Sequence, residues 1–498
     1  MSTIYAPSGV KVKVYPYEDY QGIDSSRDKG ALDTGQKQHM ISILNGFADW
    51  RGALVRDPGA SQRTEGNRLI KHVTFFGRNL LAWAQKDGGG MSLVSEKNHK
   101  ANEVYPRNAV VTTAVFNNKL MFFSRDNAMY QYDGSVFEKI KTKNNARPAY
   151  GVAIQRRLAI AGAPDKRTII DISRVDSEDT FTEDEDARST DVTKAAKIDV
   201  ANIIGTADEI RGLGVFENNR LAVFTNDQTL VYQLHPDYTL WAIDDKANVK
   251  VGTISHNSIV TAGSDLMFCS RDGVHSLRRS DTNGITIFSI PMSNKIDSLY
   301  RSMVKMVQDP EQISAYFDQD EGQYHIFFPI SDLLCKRLTL TLNPMQGGES
   351  KWSTGDFLNA MCGRQLGGVT VFGTPGGIWE RKYIEDQTAE FSPEMIVTTP
   401  ILWQGALNDI KESFSFILQA TGKGELQVEA FDERGRYLTS MQFLIEDGGA
   451  DDKFPDVPLS RQYERKFEHR YRGVQFRFTT RGKGLLKIIG FAVTVRTS

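Results

Sequence analysis

One short phrase recurs along the chain: an apolar-aromatic run, a polar turn, and a second apolar run leading back. It reads VFNNKLMFFSRDNAMYQYDG at Val115 to Gly134, VFENNRLAVFTNDQTLVYQL at Val215 to Leu234 and VTAGSDLMFCSRDGVHSL at Val260 to Leu277. Weaker copies are TFFGRNLLAWAQ (Thr74 to Gln85), GVAIQRRLAIAGAP (Gly151 to Pro164), ISAYFDQDEGQYHIFFPI (Ile313 to Ile330) and GVTVFGTPGGIWE (Gly368 to Glu380). Two copies share Ser-Arg-Asp after the second run, at Ser124–Asp126 and Ser270–Asp272. A single hairpin buries neither face alone, and hairpins recurring at ~40–45 residues are the mark of a β-propeller. The pattern predicts a mainly β chain with six or seven propeller blades. At strand period, Phe116, Leu120, Phe122, Leu221, Val223, Leu266 and Phe268 fall on core positions.

The 498 residues suffice for two or three domains. The net charge of −2 gives no global basic field to hold nucleic acid, although a locally basic surface remains compatible with it. Cys269, Cys335 and Cys362 lack CxxC spacing, which predicts buried free thiols and folding without disulfides in a reducing cytoplasm. The N-terminus has no apolar core of a signal peptide, and no window approaches ~18 consecutive apolar residues, so no membrane span is expected.

Residues 1–65 read as an arm that contributes to a platform, 66–392 as the propeller and 393–498 as a β-sandwich platform. Within the arm, Val10, Val12 and Val14 alternate with lysines as a possible edge strand. His39, Met40, Ile43, Leu44 and Phe47 predict a short helix over Gln36 to Trp50. Residues Tyr15 to Asp33 are too polar to fold alone and should order against another chain or the sandwich. Asp57-Pro58-Gly59 marks a turn. The acidic run Asp176 to Asp186 reads as an insertion on one face of the wheel, and Ile296 to Val307 as a helix. After Tyr383 the texture changes to long alternating strands, with Gly-Lys-Gly at Gly422 and Gly482 read as hairpin turns.

Signatures of chemistry are sparse. No HExxH or GxSxG occurs, and the eight histidines lack ligand spacing. Asp318 to Gly322 resembles the opening of a calcium loop without its closing glutamate, and a plain turn between strands fits better. Asp272-Gly273 reads as a type I′ turn. Neither catalysis nor a cofactor or metal is expected. RQYERKFEHRYR (Arg461 to Arg472) is the most basic stretch. It reads either as a surface for phosphate or an acidic partner, or as an amphipathic segment that packs its aromatics inward.

One phrase goes beyond these rules. NGFADWRGALVRDPGASQ (Asn45 to Gln62) resembles the entry segment of the tail nozzle and packaged-DNA-stabilisation proteins of short-tailed bacteriophages, with Gly52, Arg56, Pro58 and Gly59 matching. IIDISRVDSEDTF (Ile169 to Phe181) is similar to a second segment of that family through Ser173, the acids Asp176 to Asp179, and Phe181. EIRGLGVFENNRLAVFTNDQTLVYQ resembles its central blade. VGTISHNSIVTAGSDLMFCSRDGVHSL resembles the next blade through Gly252, Asp265, Asp272 and Gly273, and IIGFAVTVRT its closing strand. The resemblance covers residues 40 to 498 in patches; a large insertion domain is absent and the chain is short for a nozzle.

The resemblance implies a structural virion protein of the phage tail, made in the bacterial cytoplasm. It would form a hexameric ring that continues the DNA channel below the portal and adaptor, meets tail fibre or tailspike proteins, and retains packaged double-stranded DNA without sequence specificity. Trp50, Arg51 and Arg56 would then lie near the platform. Arg461, Arg465, Arg470 and Arg472 would meet a neighbour or the channel. The alternatives are a tail-associated propeller glycosidase and a propeller scaffold for protein interactions.

Overall fold

The structure, a computed structural model, describes residues 3–5, 11–34, 37–64, 68–85, 89–95, 103–142, 145–181, 192–205, 207–217, 219–237, 240–244, 248–277, 291–343, 350–382, 389–446, 450–451, 454–458, 460–482 and 484–496. The repeated phrases form antiparallel meanders. The first blade is Leu69–Phe76, Asn79–Gln85, Met91–Ser95 and Glu103–Tyr105; the second is Thr112–Phe116, Lys119–Phe123, Tyr130–Tyr132 and Phe137–Lys139. The third runs from Tyr150–Ile154 to Ala196–Asp199, and the fourth from Ile210–Phe216 to Ala242–Ile243. Val260–Ala262, Asp265–Cys269 and Val274–Ser276 make the described part of the fifth. The last blade is Cys362–Leu366, Val369–Thr374 and Gly377–Arg381, completed by Ala60–Thr64 from the arm.

These six separate sheets give a six-blade propeller arrangement. Between the fifth and the last runs a further meander, from Ser314–Asp318 through Gln323–Pro329 and Cys335–Thr341 to Lys351–Gly355. Its outer strand continues, through the pairing of Thr354 with Leu44, into a nine-stranded sheet.

The predicted core residues are all buried, but each second strand is apolar on both of its faces. Leu120 and Phe122 pack with Leu81 and Trp83 of the first blade. The intervening Met121 and Phe123 pack with Leu158 and Ile160 of the third. Phe224 likewise meets Phe268 of the fifth blade, ring centroids 4.9 Å apart. Strand alternation therefore sorts side chains between two neighbouring blades rather than between core and water. The tight turn linking the second blade's first two strands uses Asn117 and Asn118 at φ 48° and 55°, as a type I′ turn requires.

The arm departs from its predicted form. The helix expected over Gln36 to Trp50 is replaced by strands Lys37–Met40, Ser42–Leu44 and Gly46–Ala48. Asn45 stands at φ 54° and breaks the run, and Ile43 pairs with Val397, so sheet partners override the helical spacing. The suspected edge strand extends over Lys11–Ile23 and has partners on both sides. Leu486–Arg496 lies along one side, and Thr3–Tyr5 and Lys37–Met40 along the other. Tyr17 stacks on Phe491 at 4.9 Å, so this segment orders against the closing strand of the same chain.

The two Gly-Lys-Gly segments are not hairpins. Lys411–Gly422 belongs to the ten-stranded sheet and Gly424–Asp432 to the nine-stranded one; Val474–Arg481 and Leu486–Arg496 are divided in the same way. Both connections cross between the sheets at one corner, where the Lys423 N–H donates to the Leu485 carbonyl at 2.8 Å. A Cβ on Gly422 would fall on that carbonyl oxygen, and φ is 98° there. Alternation with a glycine turn is common to a hairpin and to such a crossing, so spacing does not separate them. Side chains meet between the two sheets, as where Phe416 lies 5.1 Å from Phe476. Their strands come from both ends of the chain rather than from 393–498 alone.

The predicted helix forms as Asp297–Met306 after a 3-10 turn at Asn294–Ile296, with Ile296, Tyr300, Met303 and Val307 buried. The Tyr300 hydroxyl donates to the Ser270 carbonyl at 2.6 Å, tying the helix to the fifth blade.

Two buried ion pairs flank Ala60–Thr64, the strand that completes the last blade: Asp57 with Arg337, and Asp318 with Arg381. Removing one partner of a buried pair strands the other charge. Asp57→Ala should lower stability by about 3–5 kcal/mol, and adding Arg337→Met should restore most of it. Urea midpoints of the single and double variants measure this.

Candidate functional site

The basic stretch occupies the rim of the ten-stranded sheet, where Arg461–Lys466 pairs with Lys411–Gly422 along one side. Phe467 and Tyr471 are buried while Arg461, Arg465, Arg470 and Arg472 are exposed, so the segment is amphipathic with an outward cationic face. Arg470 lies 3.3 Å from Glu412, and Arg461 lies 3.8 Å from Glu446. Arg465 donates to the Gln442 carbonyl at 3.2 Å and sits 5.4 Å over the Phe443 ring. Gln442 belongs to Tyr437–Ile445, the outermost strand of the nine-stranded sheet, so Arg465 caps a sheet edge otherwise open to pairing.

The arm residues divide. Trp50 is 41% exposed and carries the Arg51 guanidinium 4.7 Å from its ring. Arg56 turns inward, donating to the Gly482 carbonyl at 2.6 Å and to that of Gly484. It thus fixes the corner where the chain crosses between sheets, and burial pulls its guanidinium below the usual range. Arg56 is thus a structural anchor inside the chain, whereas Trp50 and Arg51 are exposed.

Asp318 is a turn residue. Its carboxylate accepts from the Asp320 and Glu321 N–H groups at 3.0 and 3.2 Å and pairs with Arg381. At Asp272-Gly273 only the glycine has positive φ, 156°, so the turn is not type I′. Glycine is needed there because a Cβ would lie 2.5 Å from both Pro291 Cβ and Ser293 Oγ. In the acidic run, Glu178 binds Lys119 at 2.5 Å and Phe181 is buried; 182–186 lie outside the described residues. Arg125 of the first Ser-Arg-Asp donates to the Tyr150 hydroxyl at 3.0 Å and lies 3.2 Å from Glu311. It joins the second and third blades and reaches the segment before the further meander.

The central channel, a cavity of 500 Å³, is lined by inner strands of the second to fifth blades, the last blade and the further meander. Glycines let the blades approach: a Cβ on Gly363 would lie 2.8 Å from the Tyr316 ring. Arg364, Gln365 and His256 face it, while among the described residues that line it none is a carboxylate. Sequence reasoning missed Arg364. The available signal was its position: Cys362–Leu366 carries Arg and Gln where the innermost strands of the second and third blades carry Ala and Val.

No protein-family model matches the sequence, and no curated protein matches it. Among solved structures, the chain is similar to the extracellular domain of a putative hybrid two-component system from B. thetaiotaomicron, with TM-score 0.40, 11% identity and coverage of 93% of this chain and 67% of that one. BamB from Moraxella catarrhalis gives TM-score 0.34 and 10% identity over 68% of this chain and 96% of that one. YCF48 from Cyanidioschyzon merolae gives TM-score 0.35 and 10% identity over 65% and 98%. The class that the meander sheets themselves define is architectural: a β-propeller.

Three histidines are held neutral by the blades. Burial pulls His72 down to about 3 and His256 to about 4, and pulls His325 well below the usual value. Among the described residues, neither the His72 nor the His325 Nε2 has a hydrogen-bond partner. The unfolded chain protonates near the ordinary value of 6.5 and the folded chain does not. Stability is therefore full above that pH and falls below it, by ~1.4 kcal/mol per pH unit for each histidine. Denaturant titrations between pH 7 and 4.5 should show proton uptake on unfolding from these sites.

All three cysteines are buried and free. Burial pushes Cys269 up to about 11 and Cys362 to about 12, and raises Cys335 further still. A thiol-specific disulfide reagent at pH 8 should label none in the folded protein and all three in denaturant.

Proposed function

We propose that the chain is a non-enzymatic, ring-forming structural subunit of a short phage tail, continuing the DNA channel below the portal-adaptor. The observation that carries this reading is the weaving of propeller and platform into one body. The first long strand, Lys11–Ile23, lies against the last, Leu486–Arg496, and the Ser314–Gly355 meander shares a sheet with the platform. Such a body transmits load without a hinge, and the ordered resemblance of its segments to tail nozzle proteins supplies the setting. A cavity of 500 Å³ within one subunit is of small-molecule size, so the DNA path would be enclosed by the ring and not by each wheel. A small net charge of −2 suits passage, since many phosphate contacts would grip the duplex. Hexamer contacts, adaptor and fibre docking, and retention of packaged DNA belong to this proposal.

A head-to-tail contact that closes gives a ring. Purified protein or particles viewed by electron microscopy should show six-fold rings. Arg465→Glu with Arg470→Glu should weaken ring formation while lowering the unfolding free energy by only about 1 kcal/mol, because both side chains are exposed and their surface contacts are worth little. Deleting the arm is the wrong test, since it removes a paired strand of the fold. A stable monomer that never associates with particles overturns the reading in favour of an interaction scaffold. Release of reducing sugar from host polysaccharide favours a glycosidase.

A further inference from the structure

Arg364 stands alone in the central channel. Asp318, on the neighbouring inner strand, is taken by Arg381, and the Gln365 amide donates to Asp318 at 3.0 Å and to Asp320 at 2.8 Å. The nearby acids are thus committed elsewhere, and among the described residues none forms an ion pair or hydrogen bond with the Arg364 guanidinium. The side chain is exposed to the cavity, yet the enclosing blades desolvate it and pull it below its usual value. A desolvated, unpaired guanidinium is costly to the fold and contributes nothing to closing the ring. Its planar fork of donors matches a carboxylate.

The rest of the channel fits the same ligand. Its 500 Å³ lies within the span of small-molecule sites. Val115, Val152 and Leu266 give it apolar wall. Thr113 lines it as well. His256 is fixed, with its Nδ1 accepting from the Leu213 N–H at 3.3 Å and its ring stacked on Tyr150 at 5.0 Å, so it contributes a neutral face. One cation suits a monoanion better than a phosphate, which calls for several donors, and Val115, Val152 and Leu266 offer apolar contact within a lining that is mostly polar.

We propose that the central channel binds a carboxylate ligand of small-molecule size, paired with Arg364. The carboxylate has two possible sources, a free organic acid or an acidic side chain of an inserted peptide.

Calorimetric titration of the full chain uses 4-phenylbutyrate, its neutral analogue 4-phenylbutanamide, and the capped peptide acetyl-Phe-Glu-Phe-amide. At least one carboxylate probe should bind at one site, about tenfold or more tighter than the amide, as a charge-assisted pair requires. Arg364→Gln should abolish that preference, and Arg364→Lys should keep part of it. Binding by 4-phenylbutyrate assigns the free acid; binding by the peptide alone assigns an inserted chain. The proposal is overturned if neither carboxylate binds, if the amide binds as well as the acid, if inorganic phosphate competes equally, or if Arg364→Gln leaves binding unchanged. An Arg364→Gln chain that fails to fold overturns it too, because the guanidinium would then be structural.

Discussion

The fold rests on closing a ring with a strand taken from near the start of the chain. Without Ala60–Thr64 the last blade would lack its outer strand and Gly377–Arg381 would present a bare edge. The seam it secures is apolar: Ile70, Val73 and Leu80 of the first blade pack with Cys362, Val371 and Ile378 of the last. Asp57 with Arg337 and Asp318 with Arg381 pin the approach to that strand. Such pairs add little net stability, but each penalises any arrangement that parts its partners, so they specify where the strand enters.

The same chain segment serves the platform. Between Lys11 and Arg56 it lends strands to both large sheets, and then becomes part of the wheel. Arg56 sits at the junction, its guanidinium holding the glycine corner at Gly482 and Gly484. The further meander from Ser314 to Gly355 makes a second join, since its outer strand runs on into the nine-stranded sheet. Wheel and platform are thus connected through backbone hydrogen bonds at separate places, and the core holding Tyr324 and Ile326 of that meander also holds Phe416 and Phe476.

The blades were legible in the sequence because a strand that packs against two neighbours must be apolar over its whole length. Leu120, Phe122, Val223 and Phe268 fall where the repeats put them, and the Asp297–Met306 helix follows its stripe. What resisted reading was non-local. His39 to Phe47 shows helical spacing, yet Ile43 finds its partner in Val397, far along the chain. The Gly-Lys-Gly segments show turn chemistry without showing that the strands on either side enter different sheets. The arginine face at Arg461 to Arg472 was visible as composition; that Arg465 caps a neighbouring strand edge was not. Arg364 was invisible because a lone cation in a weak repeat looks like any solvated residue until the blades enclose it.

The pairing of Lys11–Ile23 with Leu486–Arg496 also sets the order in which this protein must come into being. On a ribosome the opening strand emerges long before its partner exists, and Ala60–Thr64 waits for Gly377–Arg381 in the same way. Blades made of consecutive hairpins are free to form as they appear, whereas the wheel cannot close before Gly377–Arg381 is made, nor the opening strand find its partner before Leu486–Arg496 is made. The arm therefore spends translation with its strand edges open. A chain terminated before Leu486–Arg496 would expose them, which makes the docking of that strand the step that removes the hazard of edge-to-edge aggregation.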